Sequence, residues 1–188
     1  MAISNPHVDP YLFEKQFEAF KEFVLKKSGV PFVSFPSNPY TDSQEGYKYK
    51  IYNDARIKLD FASWDEKQIG KGKIIESVIK AIEIPSNNLL PWQAKFGPTN
   101  RPHWALYGAR VDQSLKAKLE RSLFRLYRSA EDQAAFEELV SLFGRNYSLI
   151  GYLMFIKDRS RYLPIAPAHI DKSLDYLGAA LRTSQKCS

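Results

Sequence analysis

Phe13, Phe17, Phe20 and Val24 recur at helical spacing in a stretch that opens at Pro10, with Asp9 placed to cap it, and closes at Gly29. This pattern predicts a first helix whose aromatic stripe belongs to the core. Pro31, Pro36 and Pro39 follow, so residues 30–44 read as an extended connection with room for a short strand at Phe32–Phe35. From Tyr47 the period becomes two. Tyr47, Tyr49 and Ile51 alternate with Lys48 and Lys50, and beyond Asn53-Asp54 the residues Ile57, Leu59 and Phe61 alternate with Lys58 and Asp60, which predicts a β-hairpin near 47–61.

Helical spacing then returns. Ile74, Ile75, Val78, Ile79 and Ile82 give one apolar face, and further helices are expected at 113–128, 131–143, 146–157 and from Pro167 to Leu177. The helix at 146–157 is apolar nearly all round, which places it centrally. Residues 85–112 hold four prolines and two tryptophans without a sustained period, and read as a long irregular, aromatic-rich loop. The expected class is α+β and predominantly helical: a single domain, residues 1–188, of about six helices with one small hairpin.

Charge changes this picture because it is segregated. Residues 46–128 carry 16 Lys and Arg against 8 Asp and Glu, whereas 1–45 and 129–144 are acidic. Neutralising several phosphates at once releases counterions, so a basic middle of this kind points to a polyanion, with double-stranded DNA as the leading partner. A solvated basic surface kept for solubility is the plain alternative.

Four constellations could hold such a partner. On the 113–128 helix, Lys118, Arg121, Arg125 and Arg128 step by 3, 4 and 3 along one face, opposite Leu115, Leu119, Leu123 and Leu126. Either a phosphate backbone or the acidic 131–138 stretch could compensate them. Between hairpin and Ile-rich helix lies Ile69-Gly70-Lys71-Gly72-Lys73, where glycines and a helix N-terminus make a candidate phosphate turn carrying Lys71 and Lys73. It departs from the nucleotide-binding loop G-x-x-x-x-G-K-[ST], so no NTPase is implied. The irregular segment brings Asn87, Asn88, Trp92, Lys95, Asn100, Arg101, His103, Trp104 and Tyr107, in which amides, Arg and His103 are candidate base-edge readers and the indoles candidate stacking groups. Lys157, Arg159 and Arg161 in the turn after the buried helix add phosphate or helix-capping candidates.

Several classes fall away. The longest apolar run, Leu149–Ile156, is too short to cross a bilayer, and the first residues lack a secretory pattern. One cysteine, Cys187, agrees with a cytoplasmic location, and three histidines with one cysteine argue against structural zinc. No cofactor is expected. Asp54 with Asp65-Glu66-Lys67 spells the letters of a metal-dependent nuclease, but a hairpin would hold Asp54 and Asp65 at opposite ends of one strand. The chain ends at Ser188 without a stop signal and reads as a module of something longer.

Glu45-Gly46-Tyr47-Lys48, Ile69-Gly70-Lys71-Gly72-Lys73, Asn87-Asn88-Leu89-Leu90-Pro91-Trp92 and above all Phe155-Ile156-Lys157-Asp158-Arg159-Ser160-Arg161-Tyr162-Leu163-Pro164-Ile165 resemble, in order, the N-terminal domain of bacterial HNH endonucleases of the modification-dependent restriction kind. The resemblance covers residues 45–188. It implies DNA binding or target sensing in bacterial defence, with modified DNA as a candidate target and cleavage performed by a nuclease domain elsewhere in a parent protein. No nuclease residue carries over, and no catalytic or metal-ligating residue is assigned. A protein–protein interaction module and a small nuclease using Asp54, Asp65 and Lys67 stand as alternatives.

Overall fold

Asp9 caps the first helix as its position predicts: the carboxylate accepts from the N–H groups of Tyr11 and Leu12, and Gly29 at φ 70° ends the helix. The computed structural model describes residues 8–93 and 101–183. These form helices α1 (Pro10–Ser28), α2 (Pro39–Glu45), α3 (Tyr47–Leu59), α4 (Lys73–Ile82), α5 (Trp104–Gly108), α6 (Gln113–Arg128), α7 (Asp132–Phe143), α8 (Tyr147–Lys157) and α9 (Pro167–Tyr176), with two short 3-10 turns at Phe61–Ser63 and Glu66–Gln68. The chain divides into two compact units, Met1–Lys50 with Ala166–Ser188, and Ile51–Ile165.

In the first unit, buried Asn38 joins α1 to α2. Its Nδ2 donates to Ser28 Oγ and the Val30 carbonyl, both at 3.1 Å, while its Oδ1 caps α2 through Tyr40 and Thr41. The Asp9 N–H donates to the Leu177 carbonyl beyond α9 at 3.0 Å. Val24 is buried, but the aromatic stripe expected in the core is not: Phe13 is 52% and Phe17 39% exposed. The rings pack on one another instead, Phe13 on Phe17 at 6.0 Å and Phe20 on Phe32 at 5.0 Å.

The second unit holds one core built around α8, whose residues Leu149–Ile156 are all buried, as its uninterrupted apolar run predicts. Gly151 lets Ile165 approach: a Cβ there would lie 3.0 Å from Ile165 Cγ1. Tyr152 spends its hydroxyl on the Ala81 carbonyl of α4, and Tyr127 of α6 on the Leu153 carbonyl of α8. Burial pushes both phenols up from their ordinary value.

The hairpin at 47–61 and the strand at Phe32–Phe35 are not found; no strand occurs among the described residues, and the class is all-α. The reason lies in which residues find burial. As a helix, residues 47–59 place Ile51, Ala55 and Leu59 on one buried face at four-residue spacing, while Ile57, required inside by the alternation, stays 74% exposed. A lone two-stranded hairpin is marginal in water, whereas α3 joins an existing core. Arg56 fastens it: the guanidinium donates to the Ile156 and Lys157 carbonyls at 3.3 and 3.0 Å, closing the C-terminus of α8, and stacks 4.7 Å from the Phe61 ring.

Candidate functional site

The turn before α4 has the predicted backbone, with Gly70 and Gly72 at φ 83° and 84°. Three of its N–H groups are already used. Glu120 of α6, fully buried, accepts from the N–H of Gly72 at 3.1 Å and from those of Ile74 and Ile75 at 2.9 and 3.2 Å. The chain's own carboxylate therefore sits where a phosphate was expected. Gln113 Nε2 donates to the Gly70 carbonyl at 2.9 Å, so the turn is laid down firmly along α6.

Lys71, Lys73 and Lys80 line an open groove of about 490 Å³ together with Lys116 of α6 and Arg110. The only acid in its wall among the described residues, Glu76, is held by Arg110 in a two-pronged pair at 2.7 and 2.8 Å. The four lysines form no ion pair among the described residues, although Lys116 Nζ reaches Gln113 at 3.2 Å. A second groove, about 380 Å³, lies across the turn, with Ile69, Glu66, Phe124, Arg121, Arg125 and Arg128 in its wall.

The cationic face of α6 is thus split. Arg125 pairs with Glu138 of α7, and Ser122 donates to the same carboxylate, so the acidic stretch takes one of the four. Lys118, Arg121 and Arg128 are exposed and without an ion pair among the described residues.

The aromatic segment is divided just as sharply. Asn87 is fully buried: its Nδ2 donates to the Ile82 carbonyl at 2.7 Å and its Oδ1 accepts from Leu89 N–H, finishing α4. Trp92 is half-buried, its indole N–H bound to the Asn87 carbonyl at 2.9 Å and its ring packed on the core. Both do structural work, which takes them off the surface where bases would be read. Asn88 is exposed, and Lys95 and Asn100 lie outside the described residues.

His103 is buried, yet the next residue, Trp104, is 52% exposed. His103 Nε2 donates to Glu83 at 2.9 Å, and the Tyr107 hydroxyl donates to the same oxygen at 2.5 Å. Burial works to raise the Glu83 carboxyl, but these two hydrogen bonds, together with the nearby charges of His103 and Arg101, hold it below its ordinary value. Burial holds His103 below its ordinary value, against the opposing pull of Glu83; its Nδ1, like Arg101 Nε, is buried with no partner among the described residues. From this anchored turn Trp104 stacks on Tyr107 at 6.0 Å, and Tyr107 receives the Arg110 guanidinium at 4.5 Å.

After α8, Lys157 pairs with Asp132 and donates to the Ser129 carbonyl, while Tyr162 and Arg161 engage the other Asp132 oxygen. Arg159 lies 5.0 Å from the Tyr52 ring. These cations fasten the turn to α7 and α3. Sequence reasoning missed Glu83 and Glu76, and it missed that Glu120 caps α4 and that Asp132, inside the acidic 131–138 stretch, holds the turn after α8. One signal was legible: α4 starts at Lys73 behind Gly72, with no capping side chain, so its N–H groups needed an acceptor from elsewhere.

The residues of the nuclease alternative, Asp54, Asp65 and Lys67, do not lie on strands. Asp54 lies within α3 rather than a strand, and Asp65 is committed as the cap of the second 3-10 turn, accepting from Lys67 N–H at 3.0 Å. Among the described residues no three His, Cys, Asp or Glu side chains cluster in a way that could hold a metal ion. No helix of the described residues is long and apolar enough to cross a membrane. The second unit is a helical unit with a cationic double groove beside an exposed aromatic. No family model, curated protein or solved structure matches the chain.

Proposed function

We propose that this chain is a nucleic-acid-binding module that holds DNA by its phosphates, as the target-sensing part of a restriction-type system. What carries the reading is the groove of Lys71, Lys73, Lys80 and Lys116, which has no ion pair of its own among the described residues and whose only acid, Glu76, is neutralised by Arg110. Four uncompensated cations around one concavity repel each other, and a polyanion removes that cost while releasing its own counterions. Lys118, Arg121 and Arg128 extend the cationic surface along α6. The resemblance of residues 45–188 to N-terminal domains of HNH endonucleases agrees with this role, and cleavage then belongs to another domain. Fluorescence anisotropy of labelled DNA across a salt series tests it: affinity falls steeply, by about 0.9 in log Kd per phosphate contacted for each tenfold change in salt. A flat response overturns it.

One observation favours a second reading. In the first unit Phe13, Phe17, Phe20, Phe35, Tyr176 and Leu177 line an apolar groove of about 350 Å³, a surface suited to docking a protein. Self-association abolished by Phe17→Glu, with DNA affinity untouched, would assign it that task.

A further inference from the structure

We propose that the second unit recognises an unpaired base, which stacks on Trp104 while the phosphates beside it lie in the groove of Lys71, Lys73, Lys80 and Lys116; this rests on the phosphate-binding reading above and names the state of the strand. Platform and groove are physically one construction. Trp104 stacks on Tyr107 at 6.0 Å, Tyr107 holds the Arg110 guanidinium at 4.5 Å, and Arg110 forms the groove wall through its two-pronged bond to Glu76. A stacked strand advances about 3.4 Å per nucleotide, so contacts of this length separate platform from groove by only a few nucleotides.

The platform is also held still. His103, buried, and Tyr107, stacked on the indole, both bind Glu83, so Trp104 keeps half its surface in solvent on a fixed turn. A paired base offers a protein its edge, and only an unpaired base offers its face. At this surface two of the candidate edge-reading groups, Asn87 and His103, are buried, while Asn88 stays exposed and Arg101 half-buried, and what stands beside the phosphate groove is a ring. A cationic groove joined to an exposed aromatic is the arrangement that binds unpaired strands without dependence on sequence. The unpaired base can come from a single strand or from one nucleotide extruded from a duplex.

Three probes separate these sources: fluorescein-labelled oligothymidylate, a perfect duplex of equal length, and that duplex with one bulged thymidine. Oligothymidylate binds more tightly than the perfect duplex and quenches tryptophan emission; tighter binding of the bulged duplex as well extends recognition to extruded bases, and its absence confines it to single strands. Trp104→Ala weakens oligothymidylate binding by about 5- to 150-fold and leaves perfect-duplex binding and the melting temperature unchanged. Trp104→Phe, which keeps a smaller ring and the fold, falls between. Equal affinity for oligothymidylate and perfect duplex, or wild-type affinity in both variants, overturns the inference while steep salt dependence leaves the phosphate reading standing. Absence of binding to all three probes overturns both.

Discussion

Glu120 and Ile74, 46 residues apart in the chain, meet in a 2.9 Å hydrogen bond from the Ile74 N–H to the buried carboxylate. With the bonds from Gly72 and Ile75, it makes α6 the cap of α4 and fixes the glycine turn between the two basic grooves.

Glu120→Ala removes this cap and leaves buried N–H groups without a partner, at a cost of about 1–3 kcal/mol in urea denaturation. The vacated helix end then becomes an anion site, so sulfate raises the melting temperature of Glu120→Ala more than that of the wild type. Equal sulfate responses would show that the turn holds no anion even when emptied.

Arg121 and Arg125 should separate in stability. Arg125→Glu sets a negative charge against Glu138 and lowers the melting temperature, with about 0.2–1 kcal/mol at stake for a half-exposed pair of this kind. Arg121→Glu does not. Equal melting temperatures for the two variants would mean that the Arg125–Glu138 pair contributes nothing.

The tryptophans divide in the same way. Trp92→Ala removes an indole that packs on the core and bonds to Asn87, and costs folding stability up to about 3–5 kcal/mol, the range for buried aromatics. Trp104→Ala leaves the unfolding midpoint where it was. The reverse order would mean that the surface aromatic is the structural one.

His103 and Glu83 make the fold acid-sensitive. Burial keeps folded His103 below its ordinary 6.5, so in the window under that value the unfolded chain binds the extra proton and stability falls as pH drops. Folded Glu83 lies below its ordinary 4.5 because, against burial, the bonds from Tyr107 and His103 and the charges of His103 and Arg101 favour the carboxylate, so its contribution is present above 4.5 and is lost below it. The urea midpoint should decline in two stages on acidification, and His103→Gln should lose the first. A midpoint that rises between pH 7 and pH 5 would contradict this.

Helices α4, α6 and α7 were legible because their apolar residues keep a 3.6-residue period that burial alone explains, and α8 because its apolar run is uninterrupted. α3 was not, since alternating Tyr and Lys obey a period of two for reasons of surface composition, and the three residues that decide the matter, Ile51, Ala55 and Leu59, also fit either pattern in part. The basic middle lines two grooves; the acidic 131–138 stretch was legible as a candidate to compensate α6 and supplies Glu138 to Arg125, whereas the pairing of Glu76 with Arg110 depends on tertiary contact that no local pattern encodes. Trp92 and Trp104 look alike in sequence. They part only because Trp92 packs on the core beside Asn87, while Trp104 follows the anchored His103 and turns outward.

The central claim rests on lysines without ion pairs among the described residues, and their reversal tests it most directly. In the variant combining Lys71→Glu, Lys73→Glu and Lys116→Glu, DNA affinity measured by anisotropy across a salt series should fall at low salt. The log–log slope should flatten by about 0.7–0.9 for each phosphate that the variant no longer neutralises, with an unchanged melting temperature. A folded variant that binds DNA with wild-type affinity and wild-type slope would contradict the account.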